Sequence, residues 1–276
     1  MYFHNSHLSI IIISICKHEC GMGNQMFRYA AGLGLAERNP DFHVCWSSRR
    51  DHVGDAVSSS SSHPNSFFLT HVDPVTTTTT TIMPECPYWT AVMGEIMLPH
   101  FNPPFSTYVP FVQGSSVFVN GAMETFRYFP SSVAPIYRLK AFQAAQKWML
   151  ERNLTSAIHV RRGDYSSMSA PIDFYMRNIV HIRRRAVVVT DDPAWVRLHP
   201  SVFGHCVLSE DHDPGFDMAL LTAATDTVVI GIGTFAWWGA YLSKARNIVF
   251  YGKQAGFQTS EYVEHDRMPK HWLKRF

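Results

Sequence analysis

The chain has 276 residues, 46 % of them apolar and 17 % charged, with a formal net charge of +2. That length and composition allow a sizeable core, in one large domain or two small ones. A charge so close to zero argues against a broad nucleic-acid face, so any anion must be met by a local cluster of cations.

In chain order, the first apolar run is Leu8 to Cys16. It is about half the length of a bilayer span, and it lacks the basic start and small-residue cleavage site of a signal peptide. It reads as a buried strand over Ile10 to Ile15, with no transmembrane anchor visible in this sequence. Gly21 and Gly23 then permit a tight strand-to-helix turn. A helix is expected over Met26 to Arg38, with Phe27, Ala30, Ala31 and Gly34 on one side, ended by Asn39-Pro40. Phe42 to Trp46 suggests a second strand and completes a βαβ opening. The lone G-x-G there is as compatible with a structural turn as with a nucleotide site.

Residues 47 to 85 differ in kind. Ser58 to Ser62 and Thr76 to Thr81 are low-complexity runs without apolar periodicity, which predicts a loop-rich insertion. Val117 to Gly121 is a short strand, Ala122 to Pro130 an aromatic-rich turn, and Ala134 to Arg152 reads as a helix. The next run, Ala157-Ile158-His159-Val160-Arg161-Arg162-Gly163-Asp164-Tyr165, is a buried strand that ends in a turn. Beyond it the βα rhythm is regular. Ala186 to Thr190 is a strand, and Asp192-Pro193 opens a helix as cap and first residue. Val207-Leu208 is a strand, Phe216 to Ala224 a helix and Thr227 to Ile232 a strand. Thr234 stands at an N-cap before a helix over Ala236 to Lys244, and Asn247 to Tyr251 closes the sheet. Alternation of this kind means a parallel, Rossmann-like α/β sheet.

The strand at Ala157 delivers two guanidinium groups to its carboxyl end, where ligands sit in open α/β sheets. Arginine's planar fork fits phosphate oxygens, and its charge cannot be lost by deprotonation. Asp164 is placed to orient one of the arginines; a surface ion-pair cluster is the alternative. Asp191 and Asp192 lie at the next strand end, where a ribose or base could be held, although capping alone explains Asp192. Thr234 begins a helix whose free N–H groups favour an anion. The site residues expected from spacing therefore centre on Arg161, Asp191 and Thr234. No H-E-x-x-H or repeated C-x-x-C spacing predicts zinc. The five cysteines suit either one or two bridges or a reduced chain. An Asn-x-Thr sequon stands at Asn153.

Four stretches, GMGNQMFRYA, HVRRGDY, VVVTDDPAW and FDMALLTAATDTVVIGIGTFAWWGAYLS, resemble in the same order the α1,2-fucosyltransferases of glycosyltransferase family eleven. NGAMETFRYF is similar to a diverged form of that family's G-Y-F-Q-S-x-K-Y-F element. The resemblance covers most of the chain outside residues 47 to 116. It implies a GT-B-like architecture of two Rossmann-like lobes facing across a cleft. The acceptor-side lobe would be 1–150, shortened and carrying the low-complexity insertion, and the donor lobe 151–276. It implies inverting, metal-independent transfer of L-fucose from GDP-fucose to the 2-hydroxyl of galactose in a glycan acceptor, on the lumenal side of the Golgi membrane, with no cofactor. Donor contacts would fall to His159, Arg161, Arg162, Gly163, Asp164, Asp191, Thr234 and Phe235. Arg161 and Arg162 would take the place of a cation on the departing diphosphate, and Glu124 is the candidate base. His159 as a core histidine and Glu124 as a capping or surface residue are the structural alternatives. Gly233 and Ala236 replace two serines of the family's S-T-F-S-W-W, a change that does not imply inactivation. The shortened acceptor lobe leaves a catalytically degenerate GDP-fucose- or glycan-binding relative as the competing function. A Rossmann dehydrogenase is disfavoured, because the third glycine and the acidic ribose ligand are not at their offsets.

Overall fold

The structure is a computed structural model. It describes residues 10–14, 21–47, 72–74, 94–97, 116–120, 123–131, 137–163, 166–180, 182, 185–210, 213–252 and 267–276. Most of the expected insertion at 47–85, and the expected helix start at 134–136, lie outside the described residues. The chain divides into two compact units. One comprises Met1–Thr70, Pro74–Ile136 and Glu261–Met268; the other comprises His71–Asp73, Tyr137–Ser260 and Pro269–Phe276.

The first unit contains a four-stranded sheet of β1 (Ile10–Ser14), β2 (His43–Ser47), β4 (Gly94–Met97) and β5 (Ser116–Asn120), in the order β2-β1-β5-β4. Every pair in it is parallel. Helix α1 spans Met22–Arg38 and is buried nearly all round from Met22 to Leu35, as a helix rich in Ala, Leu and Met should be when it lies inside a domain. It begins four residues before the expected Met26, because Gly21 and not a longer turn caps it. Gly34 allows close packing: a Cβ there would lie 1.8 Å from the Tyr128 carbonyl oxygen. Arg38 donates to the same carbonyl at 2.6 Å, which ties the aromatic segment, a 3₁₀ turn at Phe126–Tyr128, onto α1.

The second unit is built on six parallel strands in the order β12-β11-β10-β7-β8-β9. These are β7 (Ser156–Val160), β8 (Ala186–Thr190), β9 (Val207–Leu208), β10 (Thr227–Ile230), β11 (Asn247–Tyr251) and β12 (Leu273–Arg275). The expected closing strand, β11, is therefore not the edge. A buried Trp272 leads into β12 beyond it. Side chains alternate along β7 with period two. Ile158 and Val160 enter a core with Phe174, Tyr175 and Ile179 of α3 (Ile172–Ile179), Val196 of α4 (Pro193–Arg197), and Val202 and Phe203 of α5 (Pro200–Phe203). Ala157 and His159 face the other side. There α6 (Pro214–Ala223) approaches α7 (Thr234–Leu242) closely through Gly239, where a Cβ would meet Leu221 at 2.6 Å.

The single helix expected over 134–152 is two elements, β6 (Tyr137–Leu139), which pairs with β3 (Val72–Pro74), and α2 (Phe142–Glu151). Tyr137 and Leu139 are buried and Arg138 exposed, a period of two that a helix cannot satisfy.

Strand order reverses between β7 and β10. From β7 the chain proceeds outward to β8 and β9, then returns to the other side of β7 for β10, β11 and β12. The crevice of a doubly wound sheet opens at the carboxyl ends of such a pair of strands.

Candidate active site

The carboxyl end of β7 carries His159, Arg161 and Arg162, and that of β10 leads through Gly231 to Gly233, Thr234 and Phe235. These residues therefore flank the reversal point. Parallel pairing of Val160 with Thr190 brings the residues that follow each strand side by side, Arg161 beside Asp191. Asp191 uses both oxygens on the arginine pair. Its Oδ2 lies 2.9 Å from Arg161 Nη1, and its Oδ1 accepts the Arg162 backbone N–H at 2.7 Å. The Arg161 and Asp191 side chains are 34 % and 28 % exposed, so the pair is open to a ligand. Asp191, expected as a donor contact, is placed to fix the arginine loop, and Asp164 lies outside the described residues.

Gly163 has a steric reason. A Cβ at that position would approach Asp191 Oδ2 to 2.6 Å, and that carboxylate is already held by Arg161. Ser169 Oγ donates to the Arg161 carbonyl at 2.6 Å and braces the loop from the other side. Asp192 behaves as its sequence predicts. Its Oδ1 accepts the Trp195 N–H at 2.9 Å and Pro193 follows in the first turn, so capping accounts for it fully.

His159 is 5 % exposed, and its Nδ1 has no hydrogen-bond partner. Burial, reinforced by the Arg161 charge, lowers its pKa to about 3, so the imidazole is neutral at physiological pH. Its ring lies 5.8 Å from that of Phe235. Its carbonyl accepts from the buried Tyr175 hydroxyl at 3.3 Å and from Gly231 N at 3.4 Å. Burial and nearby Asp191 raise the Tyr175 pKa, against the pull of Arg162, so the phenol remains a donor.

Thr234 was expected as the N-cap of the last long helix. The cap is instead Gly233, at φ 101°, and Thr234 is the first helical residue. A left-handed backbone suits glycine there. No acidic residue occupies the first turn of α7, so its dipole is not offset by one.

Glu124 belongs to the first unit and is neither a cap nor a surface residue, which corrects both structural expectations for it. It is 4 % exposed, and its Oε2 lies 3.0 Å from Nη2 of the equally buried Arg267, as an ion pair without hydrogen-bond alignment. Burial raises its pKa, opposed by Arg267 and Arg28. Met123, just before it, adopts φ 53°, an uncommon conformation for a side chain of its size.

Sequence reasoning missed Tyr175, Ser169 and Trp195 as neighbours of the arginines. The amphipathic run Ile172–Ile179 was the available signal for the first of them. Among the described residues no group of three or more His, Cys, Asp or Glu is arranged to hold a metal ion.

The model of glycosyl transferase family 11 matches residues 140–273. Among solved structures, the NodZ α-1,6-fucosyltransferase soaked with GDP-fucose aligns with a TM-score of 0.54 at 12 % identity, over 89 % of this chain and 95 % of that one. Selenomethionine NodZ from Bradyrhizobium aligns with a TM-score of 0.53 at 12 % identity, over 86 % and 92 %. No curated protein matches the chain. At such identity the structural likeness establishes the fold, which is α/β and GT-B-like as the sequence implied. The arginine loop, the Asp191 turn and the start of α7 all fall within the segment, residues 140 to 273, that matches the glycosyl transferase family 11 model, on a fold similar to that of the fucosyltransferase NodZ.

Proposed function

We propose that this protein transfers L-fucose from GDP-fucose to the 2-hydroxyl of a galactose in a glycan, with inversion and without a metal ion. The observation that supports this best is the pair Arg161 and Arg162 at the reversal point of the sheet, held by Asp191 within the family match. As the bond from fucose C1 to the β-phosphate oxygen breaks, negative charge grows on the diphosphate. Fixed guanidinium groups and the N–H groups at the start of α7 supply hydrogen bonds to that charge without reorganising. His159, neutral and with a free Nδ1, offers a further polar contact that adds no charge.

The acceptor oxygen bonds to C1 from the opposite face and releases its proton to a carboxylate. We assign that task to Glu124. Burial raises its pKa against the opposing charges of Arg267 and Arg28, the direction that makes a carboxylate a stronger base. A lumenal, oxidising compartment is supported by Cys45, which is disulfide-bonded, whereas Cys206 is free. No helix among the described residues is long and apolar enough to cross a membrane, and the Golgi assignment rests on the family resemblance.

The test is incubation with GDP-fucose and a β-galactoside in chelator, with the product linkage read by NMR. A fucose on the galactose 2-hydroxyl, lost in Glu124→Gln, is expected. No transfer by folded protein that binds GDP-fucose would overturn the enzyme in favour of a degenerate binder.

A further inference from the structure

We propose that Trp195 is a positioning residue for the donor diphosphate, acting through Arg162. This rests on the donor site proposed above.

The two adjacent arginines are held in different ways. Arg161 is paired with the Asp191 carboxylate. Only the backbone of Arg162 touches Asp191; its guanidinium forms no ion pair among the described residues and lies 4.6 Å over the Trp195 ring. Its Nε is buried without a hydrogen-bond partner. The indole face is thus what seats this long side chain, through the attraction of a cation to the ring quadrupole.

The choice of ring has a chemical consequence. A carboxylate would fix Arg162 equally well but would cancel its charge, whereas the ring fixes it and leaves the charge for an anion. Arg161, Arg162 and Asp191 together keep one net positive charge, and Arg162 carries it. A guanidinium already seated also loses less side-chain freedom when a ligand arrives.

The platform itself is rigid. Asp192 fixes the Trp195 N–H as the cap of α4. The His199 ring lies 4.2 Å from the indole, and its Nδ1 is 2.8 Å from the Trp195 carbonyl. Phe203 and Tyr175 pack around the same ring at 6.0 and 6.3 Å.

A double-mutant cycle tests this, with GDP affinity and thermal unfolding measured for wild type, Trp195→Leu, Arg162→Met and the pair. Trp195→Leu should weaken GDP binding roughly tenfold, within the range of a partly desolvated cation–π contact. Trp195→Phe, which keeps a ring, should recover most of that loss. In the Arg162→Met background, Trp195→Leu should change affinity less than about twofold, the mark of one residue acting through another. Equal losses in both backgrounds, or no rescue by phenylalanine, would overturn the proposal. Should the leucine variant not fold, the same cycle run with Trp195→Met, which also removes the ring, decides. Additivity in a protein that binds GDP removes this inference alone; a folded wild type that binds no GDP removes both it and the donor site.

Discussion

The Arg161–Asp191 pair of the second unit and the Arg267–Glu124 pair of the first have the same chemistry and nearly the same separation, 2.9 and 3.0 Å. They differ in burial. Arg161 and Asp191 are 34 % and 28 % exposed; Arg267 and Glu124 are 1 % and 4 % exposed. A partly open pair contributes little to stability, but its cation can exchange water for a ligand. A buried pair has given up its hydration, and removing one partner strands the other in a low dielectric. Burial, more than residue type, sets which pair is open to an anion and which contributes more to stability.

The largest expected effect lies at the buried pair. Arg267→Met should cost about 3–5 kcal/mol of stability by taking from the buried Glu124 its paired cation, measured by urea denaturation. Arg161→Ala should do the reverse. Its stability should change by less than about 1 kcal/mol, while GDP affinity falls on the order of a hundredfold, the scale of charge-assisted hydrogen bonds. Equal destabilisation by the two substitutions would erase the contrast.

His159 sharpens it further, since it is buried yet lies next to the open pair. Its folded pKa, about 3, is below the unfolded value of about 6.5. Between those values the unfolded chain binds a proton that the folded chain does not. The His159 contribution is therefore complete above pH ~6.5 and declines as pH falls toward 3, by at most about 1.4 kcal/mol per pH unit. Denaturation curves at pH 7 and pH 5 should show a smaller decline in His159→Phe than in wild type. The smallest effect is expected from Gly163→Ala. Its methyl would crowd Asp191 Oδ2 and shift the arginine loop, weakening GDP binding by roughly fivefold, or about 1 kcal/mol, with little change in melting temperature.

Much of the second unit was legible because its strands are apolar runs bounded by turn residues. β7, β8, β9 and β11 fall where the pattern puts them, and β10 ends at Ile230, two residues sooner. The position of Arg161 and Arg162 at a strand end followed from the same pattern. Their neighbours did not. The partner found for Arg161 is Asp191, which strand register brings alongside it, and register is a property of pairing that local sequence does not display. The burial of Glu124 is not legible for the same reason, since Arg267 is distant along the chain and reaches it only in the fold. β6 was hidden by its length: three residues of alternating burial next to a ten-residue helix carry too little pattern to stand out. Gly233 displaced Thr234 as cap because positive φ overrides the usual preference for a hydroxyl at that position.

The most direct test of the account is calorimetric titration of the purified protein with GDP in chelator, alongside Arg161→Ala. The account predicts binding by the wild type, and its loss in a variant that melts at nearly the wild-type temperature. Undiminished binding by Arg161→Ala would contradict the open arginine pair as the diphosphate site.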